Sequence, residues 1–476
     1  MRGRLENIKK RLEMKTKEWI LILLAGMLAF ASGCGQTNAG FNVVLISIDT
    51  LRPDHLGCYG YGVDTSPTID RLAAEGVRFE NAFSSTTWTL PAHVSLLTGM
   101  PDGVHGVTSE ASLLDENRDT LAEIMRRTGR HTLGVFTGPY LLPFWGFHQG
   151  FDTYADATRY DKTLEGAEVI SAAEKGRTTP DALDRVEALL ADISGRPFFL
   201  FLHLFDAHPD FDPPPPYDTR FDPGYSGSVT GIDIMNNPSV HAAMPERDRL
   251  HLQALYDGEI RFINDRGLDR LLGLLEARQC LENTLIVLTS DHGEEFFEHG
   301  VFGHRQNLYD TTLRIPLIVW APALVPSGVT VKTPVRIYDI LPTILELTEA
   351  PRPDGILGRS LVPLFSEEAV EGEWPSLFAG LESQSRKMEA LRTERYKMVV
   401  DFKNEKRALF DLQADPEEKA PLTDRSLPLF LQFQDMFFKQ RWELTSIAEN
   451  LPKGPVRRRD MDPELRERLR SLGYIK

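Results

Sequence analysis

Cysteine is scarce, with three in 476 residues, and the positions (34, 58 and 280) do not form the close pairs of a zinc site. A disulfide-built fold is excluded. If Cys34 is removed from the count by processing, Cys58 and Cys280 remain as two thiols that an oxidising compartment would allow to pair. A basic excess is also missing: 53 Lys and Arg stand against 69 Asp and Glu, a net charge of −16. Nucleic-acid binding needs a basic face to meet phosphates, so that partner class is excluded. An anionic small substrate is not excluded, because a metal ion can supply local positive charge. No apolar run reaches the ~20 residues of a membrane-spanning helix, and there are no repeats or low-complexity tracts. What is present is 42% hydrophobic content in a long chain, enough for a large core.

The first 34 residues read as a processing signal. Lys15 and Lys17 precede an apolar run from Trp19 to Phe30, and small residues lead to Cys34. This resembles a bacterial lipobox, in which the cysteine is lipidated and becomes the first residue. The stretch before Lys15 is long for such a signal, and Met14 is the expected start. The expected location is extracytoplasmic, lipid-anchored to a bacterial membrane through Cys34.

Beyond it, near-continuous apolar runs occur at 41–50, 131–136, 197–205, 283–290 and 315–321. Such runs mark strands buried on both faces, as in parallel sheets. Helical patterns separate them. One follows Ser66 and Pro67 and stops at Gly76. Another spans 251–278, with Leu255, Phe262, Leu268, Leu271, Leu272 and Leu275 on one apolar face. Strands alternating with helices predict an α/β fold. Residues 212–248 read as a surface excursion long enough to suspect a lid. Past 375 a hairpin and then a helix are expected, making a smaller C-terminal subdomain.

Polar clusters follow three of the predicted strands: Asp49, then 206–210, then 290–295. Ligands bind at this edge of an open α/β sheet, where loops and helix N-termini converge. Asp49, Asp291 and His292 offer two carboxylates and an imidazole, a donor set for a divalent cation. Any one alone reads as a turn or cap residue; three at strand ends point to a site. Thr89 opens a short helix with Pro91 in its first turn, where free N–H groups favour an anion. The hydroxyl reads either as a helix cap or as a nucleophile that a metal ion activates.

Read end to end, the chain resembles the sulfatase family of the alkaline phosphatase superfamily. The resemblance is carried by "NVVLISIDTLRPDHLGCYGYG", "TLPAHVSLLTG", "HLFDAHPDFDPP", "YDGEIRFIND", "TLIVLTSDHGEEFFEHGVFGH", "YDILPTILEL" and "LRSLGYIK" in family order. It implies an alkaline-phosphatase-like α/β/α sandwich with a mostly parallel central sheet over 41–365, followed by an α+β subdomain over 375–476. It puts Asp49, Asp291 and His292 on a metal ion, with Thr89 as nucleophile and fourth ligand. It puts His208 and His304 at the substrate and His105 near the nucleophile; in the mechanism expected from it, His93 and His304 hold oxygens and His208 is the acid for the leaving group.

The departures bear on the chemistry. A sulfatase nucleophile is a Cys or Ser in Cys-x-Pro-x-Arg, oxidised to formylglycine; here the stretch runs Thr89-Leu90-Pro91-Ala92-His93. Thr50 stands where an Asp normally follows the first metal Asp, and 135–140 lacks the Lys and His of the sulfate-gripping segment. A hydrated aldehyde expels sulfate by elimination, whereas a threonine adduct has no such exit and must be cleaved by water at the central atom. That attack is feasible at phosphorus. The expectation is therefore an extracytoplasmic, metal-dependent hydrolase of phosphomono- or diesters acting on an anionic small molecule, glycan or lipid head-group. Alternatives are a sulfuric ester hydrolase working without formylglycine, a phosphoryl-group transferase, and a non-catalytic binding lipoprotein. The 206–210 cluster lacks the Asp-x-x-x-His of two-zinc relatives, so one ion (Ca, Mg, Mn or Zn) is expected. A second ion on Asp206, His208 and His304 is the minor alternative.

Overall fold

In the computed structural model the apolar runs are strands, and the first of them is buried at every position. The structure describes residues 40–452 except 159–176, 194, 367–373, 384 and 423, together with residues 463 and 466. The expected signal at 1–34, Cys34 included, lies outside the described residues. In chain order the strands are β1 (Asn42–Ile48), β2 (Val77–Phe83), β3 (His131–Phe136), β4 (Thr153–Asp156), β5 (Phe198–Leu204) and β6 (Thr284–Thr289). After a two-residue ribbon of β7 (Glu295–Phe296) and β8 (Phe302–Gly303) come β9 (Arg314–Trp320), β10 (Val329–Val331) and β11 (Val335–Arg336). Among the described residues they form one large sheet in the order β10-β2-β9-β6-β1-β5-β3-β4, with β11 also pairing to β2. β9 runs antiparallel to both its neighbours; the other pairs are parallel.

Alternate strand residues enter opposite cores, as the two-residue period requires. Val43, Leu45, Phe199, Phe201, Leu285 and Val287 pack with the helices Thr89–Thr98, Leu121–Arg127 and Ile340–Leu347. Val44, Ile46, Leu200, Leu202, Ile286 and Leu288 pack with the helices Pro67–Glu75, Thr179–Asp192, Glu246–Ile263 and Asp269–Ala277. The pattern expected at 251–278 is thus two helices, starting earlier and joined by a π-helical turn at Asn264–Leu268. The layers are helix, sheet, helix, as expected. Cys58 and Cys280 are free thiols, so the bridge open to them in the sequence is not formed. The excursion after His208 is irregular but tied down: Phe211 N donates to Gly231 O (2.8 Å) and Ile234 N to Asp210 Oδ1 (2.8 Å).

At the C-terminus an antiparallel meander of β12 (Leu377–Glu382), β13 (Lys387–Arg392), β14 (Tyr396–Asp401) and β15 (Lys406–Asp411) carries the helix Pro428–Asn450. The expected hairpin is β14–β15; β12 and β13 escaped the sequence reading. One face of this sheet packs Phe378, Leu391, Met398 and Leu409 against Phe430, Phe433 and Phe437, together with Met100 and Val104 from the main body. The other packs Ala379, Ala390, Val399 and Phe410 against Phe83, Leu308 and Leu313. Both faces therefore share cores, the second entirely with the main body.

Asp102 sits at this junction, buried, so close to β12 that a Cβ on Gly380 would lie 2.5 Å from its Oδ2. Burial pushes its carboxyl up to about 7, despite hydrogen bonds from its own and the next backbone N–H. A carboxyl raised above its unfolded value favours the fold when protonated, and that contribution is lost as pH rises through about 7. Asp102→Asn keeps the shape without the charge. Thermal melts are expected to show the variant above wild type at about pH 8, with the gap closing towards about pH 5. Equal melting temperatures at both pH values would mean the carboxylate is not desolvated there.

Candidate active site

β1 lies between β5 and β6, and all three run parallel, so the loops leaving their C-terminal ends emerge side by side. Asp49 follows β1, Asp206 and His208 follow β5, and Asp291 and His292 follow β6. Thr50 stitches these loops together. It takes a left-handed turn (φ 54°), donates its N–H to Asp291 Oδ1 (3.2 Å) and donates its hydroxyl to Ala207 O (2.7 Å). The residue that replaces an acid of the family pattern thus acts as a cross-tie.

Asp49, Asp291 and His292 each offer one ligand atom, all within 4.8 Å of one another, and all three are buried. His292 Nδ1 donates to Gly293 O (3.0 Å), which turns Nε2 towards Asp291 Oδ2 (3.3 Å) and Asp49 Oδ1 (3.9 Å). Both oxygens of Asp49, Asp291 Oδ2 and His203 Nε2 are buried without a hydrogen-bond partner. Each of these is an acceptor, and acceptors gathered in a dry space repel unless a cation lies among them. The pKa directions agree. Asp49 is raised well above the usual carboxylate range by burial and then by Asp291. Asp291, although burial opposes it, falls to about 2 through the charges of His292, His93 and His203. These residues fit a divalent cation.

Thr89 begins its helix with Oγ1 donating to His292 Nε2 (3.3 Å), which brings the hydroxyl to the edge of the acidic cluster. The helix forms because Leu90, Ala92, Val94, Leu96 and Leu97 enter the core. Pro91 falls where an N–H is not needed, and Gly99 closes it in the left-handed conformation (φ 68°).

His208 and His304 face each other edge-on, ring centres 5.0 Å apart, and His304 lies 4.5 Å from the His292 ring. Phe205 stacks on His208 at 4.4 Å. His208 Nδ1 donates to Pro209 O (2.6 Å), and His304 Nδ1 donates to Glu294, 3.1 Å from Oε2. Burial holds both imidazoles below their usual pKa, His304 at about 4, and pushes Glu294 up to about 8.

Two expected residues support the helix of Thr89 from within. His93 is fully buried behind Thr89, with Nδ1 donating to Thr89 O (2.9 Å) and Nε2 accepting from Ser47 Oγ (3.0 Å). Both nitrogens are committed, so it props the Thr89 backbone and leaves no ring nitrogen for the oxygens it was expected to hold. His105 bonds Ser95 Oγ (3.0 Å) and accepts the Val107 N–H (3.1 Å). It braces the Thr89 helix at Ser95 and at the Pro91 carbonyl, two residues from Thr89. Asp206, needed for a second ion, accepts from the backbone and hydroxyl of Thr178 and the backbone of Thr179, so its carboxylate serves a helix start.

His203 and Glu294 were missed. His203, inside β5, points Nε2 at Asp49 Oδ2 (3.4 Å), and its Nδ1 bonds Thr137 O. A histidine in an otherwise apolar buried strand was the available signal. Glu294 lay within the 290–295 cluster, but nothing in its spacing tied it to His304.

The sulfatase family model matches residues 41–350, and a model for the C-terminal part of N-sulphoglucosamine sulphohydrolase matches 297–437. An N-acetylglucosamine-6-O-sulfatase of Bacteroides thetaiotaomicron is 22% identical over 95% of this chain and 94% of its own. An ulvan-active sulfatase of Formosa agariphila is 27% identical over 79% and 76%. Among solved structures, the phosphonate monoester hydrolase of Agrobacterium radiobacter superposes with a TM-score of 0.70 at 22% identity, covering 85% of this chain and 96% of that one. A structure with its substrate D-glucosamine-2-N,6-O-disulfate gives 0.68 at 20%, covering 87% and 99%. Asp49, Thr89, Asp291 and His292 all fall within the matched span, and the chain belongs to the sulfatase family of hydrolases.

Proposed function

We propose that this protein is a metal-dependent hydrolase that cleaves phosphoesters, mono- or diesters, with Thr89 as nucleophile. The observation that carries the reading is the Thr89 hydroxyl, 3.3 Å from His292 Nε2 at the head of a helix and beside buried, partnerless carboxylates. Asp49, Asp291 and His292 would hold a divalent ion, which would supply Lewis acidity and offset negative charge. Thr89 Oγ1, its proton given up to solvent, attacks phosphorus in line as the bond to the leaving oxygen breaks, and the positive end of its helix favours the developing charge. His304, oriented by Glu294, donates to a non-bridging oxygen. His208 protonates the leaving oxygen; an anion between the two imidazoles favours their charged forms, so the proton arrives with the substrate. Water then cleaves the phosphothreonine. The substrate is an anionic small molecule, glycan or lipid head-group ester, met outside the cytoplasm by a protein anchored through a lipidated Cys34.

The second reading is a sulfuric ester hydrolase working without formylglycine, favoured by the sulfatases among the relatives. One assay separates the two. With 4-nitrophenyl sulfate, phosphate, phosphodiester and phosphonate ester side by side, phosphorus substrates are expected to dominate, and Thr89→Ala to lose about 10³-fold or more. Dominant sulfate turnover would replace the phosphoester reading with the second one. Activity that survives Thr89→Ala would remove the nucleophile from either.

Two further outcomes follow from the same geometry. His208→Gln is expected to slow an alkyl phosphoester about ten-fold more than the 4-nitrophenyl ester, whose leaving group needs no proton. Equal losses would assign His208 to binding alone. Millimolar divalent cation is expected to raise the melting temperature by about 5 °C in wild type. The shift should vanish in Asp49→Asn, which melts higher than metal-free wild type because one repelling charge is gone. A shift that persists in the variant would place the ion elsewhere.

A further inference from the structure

Arg305 follows His304 directly and adopts a left-handed backbone (φ 62°), a conformation that a long side chain tolerates only when its surroundings impose it. Its N–H donates to Thr87 O (3.1 Å), two residues before the nucleophile. The guanidinium lies flat over Trp88, 4.0 Å from the ring centre, and Trp88 immediately precedes Thr89. Nη1 donates to Tyr140 Oη (3.1 Å) and Nη2 to Glu110 Oε1 (2.7 Å). Tyr140 belongs to the segment, 135–140, that carries no cation of its own.

The arrangement differs from a structural ion pair elsewhere in the same chain. Arg336 grips both oxygens of Asp339, and their side chains are 8% and 0% exposed. Arg305 touches one oxygen of Glu110, and these side chains are 23% and 28% exposed. The first pair is sealed. The second is partly open to solvent, stacked on the ring of the residue before Thr89 and held by a single carboxylate oxygen. A guanidinium has five N–H donors in a plane suited to two oxygens at once, and the bonds to Tyr140 and Glu110 engage one on each terminal nitrogen.

We propose that Arg305, with Tyr140 and Glu110, forms a subsite for a second anionic group of the substrate, separate from the ester that is cleaved. The incoming oxyanion takes the fork in a bidentate contact and displaces Glu110, which keeps the cation in place until then. Substrates of this enzyme thus carry two negative groups. The assignment rests on the hydrolase reading of the same site, but it concerns binding and is tested without turnover.

Calorimetric titration of the full chain would compare phenylphosphonate with 3-carboxyphenylphosphonate, which differ by one carboxylate and which the proposed reaction cannot cleave. Wild type is expected to bind the carboxylated probe about ten-fold tighter. Arg305→Met should abolish the difference, Arg305→Lys should retain part of it, and Glu110→Gln should widen it by removing the competitor. Wild type binding the two equally, or binding neither, would overturn the subsite. So would Arg305→Met weakening both probes alike, the result for a strut. If Arg305→Met fails to fold, the Glu110→Gln comparison decides, because a strut would not tighten when its carboxylate is neutralised. Absence of Thr89-dependent phosphoester turnover would sink the catalytic reading while leaving this selectivity intact.

Discussion

Asp49 and Asp291 keep three carboxylate oxygens away from solvent without a donor, and a charge buried without compensation costs several kcal/mol. The surrounding structure is built to tolerate that cost. Three adjacent parallel strands fix where the loops emerge, Thr50 ties those loops to one another, and His93 and His203 stand behind the carboxylates with their outer nitrogens bonded to backbone carbonyls. Among the described residues, no lysine or arginine pairs with Asp49 or Asp291. Arg52, the nearby cation, is spent on Asp54, Glu298 and the Glu294 carbonyl. The site thus gathers negative charge that its described neighbours do not offset.

Around that charge the Thr89 hydroxyl and the imidazoles of His208 and His304 come from different elements. Thr89 comes from a helix packed on one face of the sheet, whereas His208 and His304 come from loops after β5 and β8. Their rings form a continuous row from His292 through His304 to His208, so the imidazoles border the acidic cluster on one side. Arg305 extends this row towards Trp88. The polarity of the pocket therefore runs from acidic at the sheet edge to cationic at the rim.

The C-terminal sheet is more than an appendage to this centre. Lys397, fully buried on β14, pairs with Asp310 (2.9 Å) and Glu418 (2.8 Å), and Arg392 on β13 also reaches Asp310 (3.0 Å). Asp310 precedes β9 and lies close in sequence to the His304–Arg305 loop, and those two cations hold its carboxyl well below the usual range. Breaking such a buried pair by removing one partner is strongly destabilising. The subdomain thus anchors the segment that follows His304 and Arg305.

Long apolar runs made β1, β3, β5, β6 and β9 legible in the sequence, because a strand covered on both faces has no polar alternation to hide it. Asp49, Asp291, His292 and Thr89 were legible for a related reason: each sits where a regular element starts or stops. The antiparallel direction of β9 was not, since a buried strand reads the same either way. β2 and β12 were not, because Arg78, Glu80 and Asn81 in one and the Gly380 contact in the other reflect neighbours distant in sequence. Histidines were the least readable. The composition of the chain marks them as chemical candidates, but whether a ring stands against other imidazoles, as His208 does against His304, or has both nitrogens tied inside the core, as His93 does, depends on which partners fold beside it. Sequence alone determined the elements and the edge at which chemistry gathers, because both follow from local pattern. Only the tertiary structure decided which side chains share that edge, because a hydrogen bond between residues two hundred positions apart has no local signature.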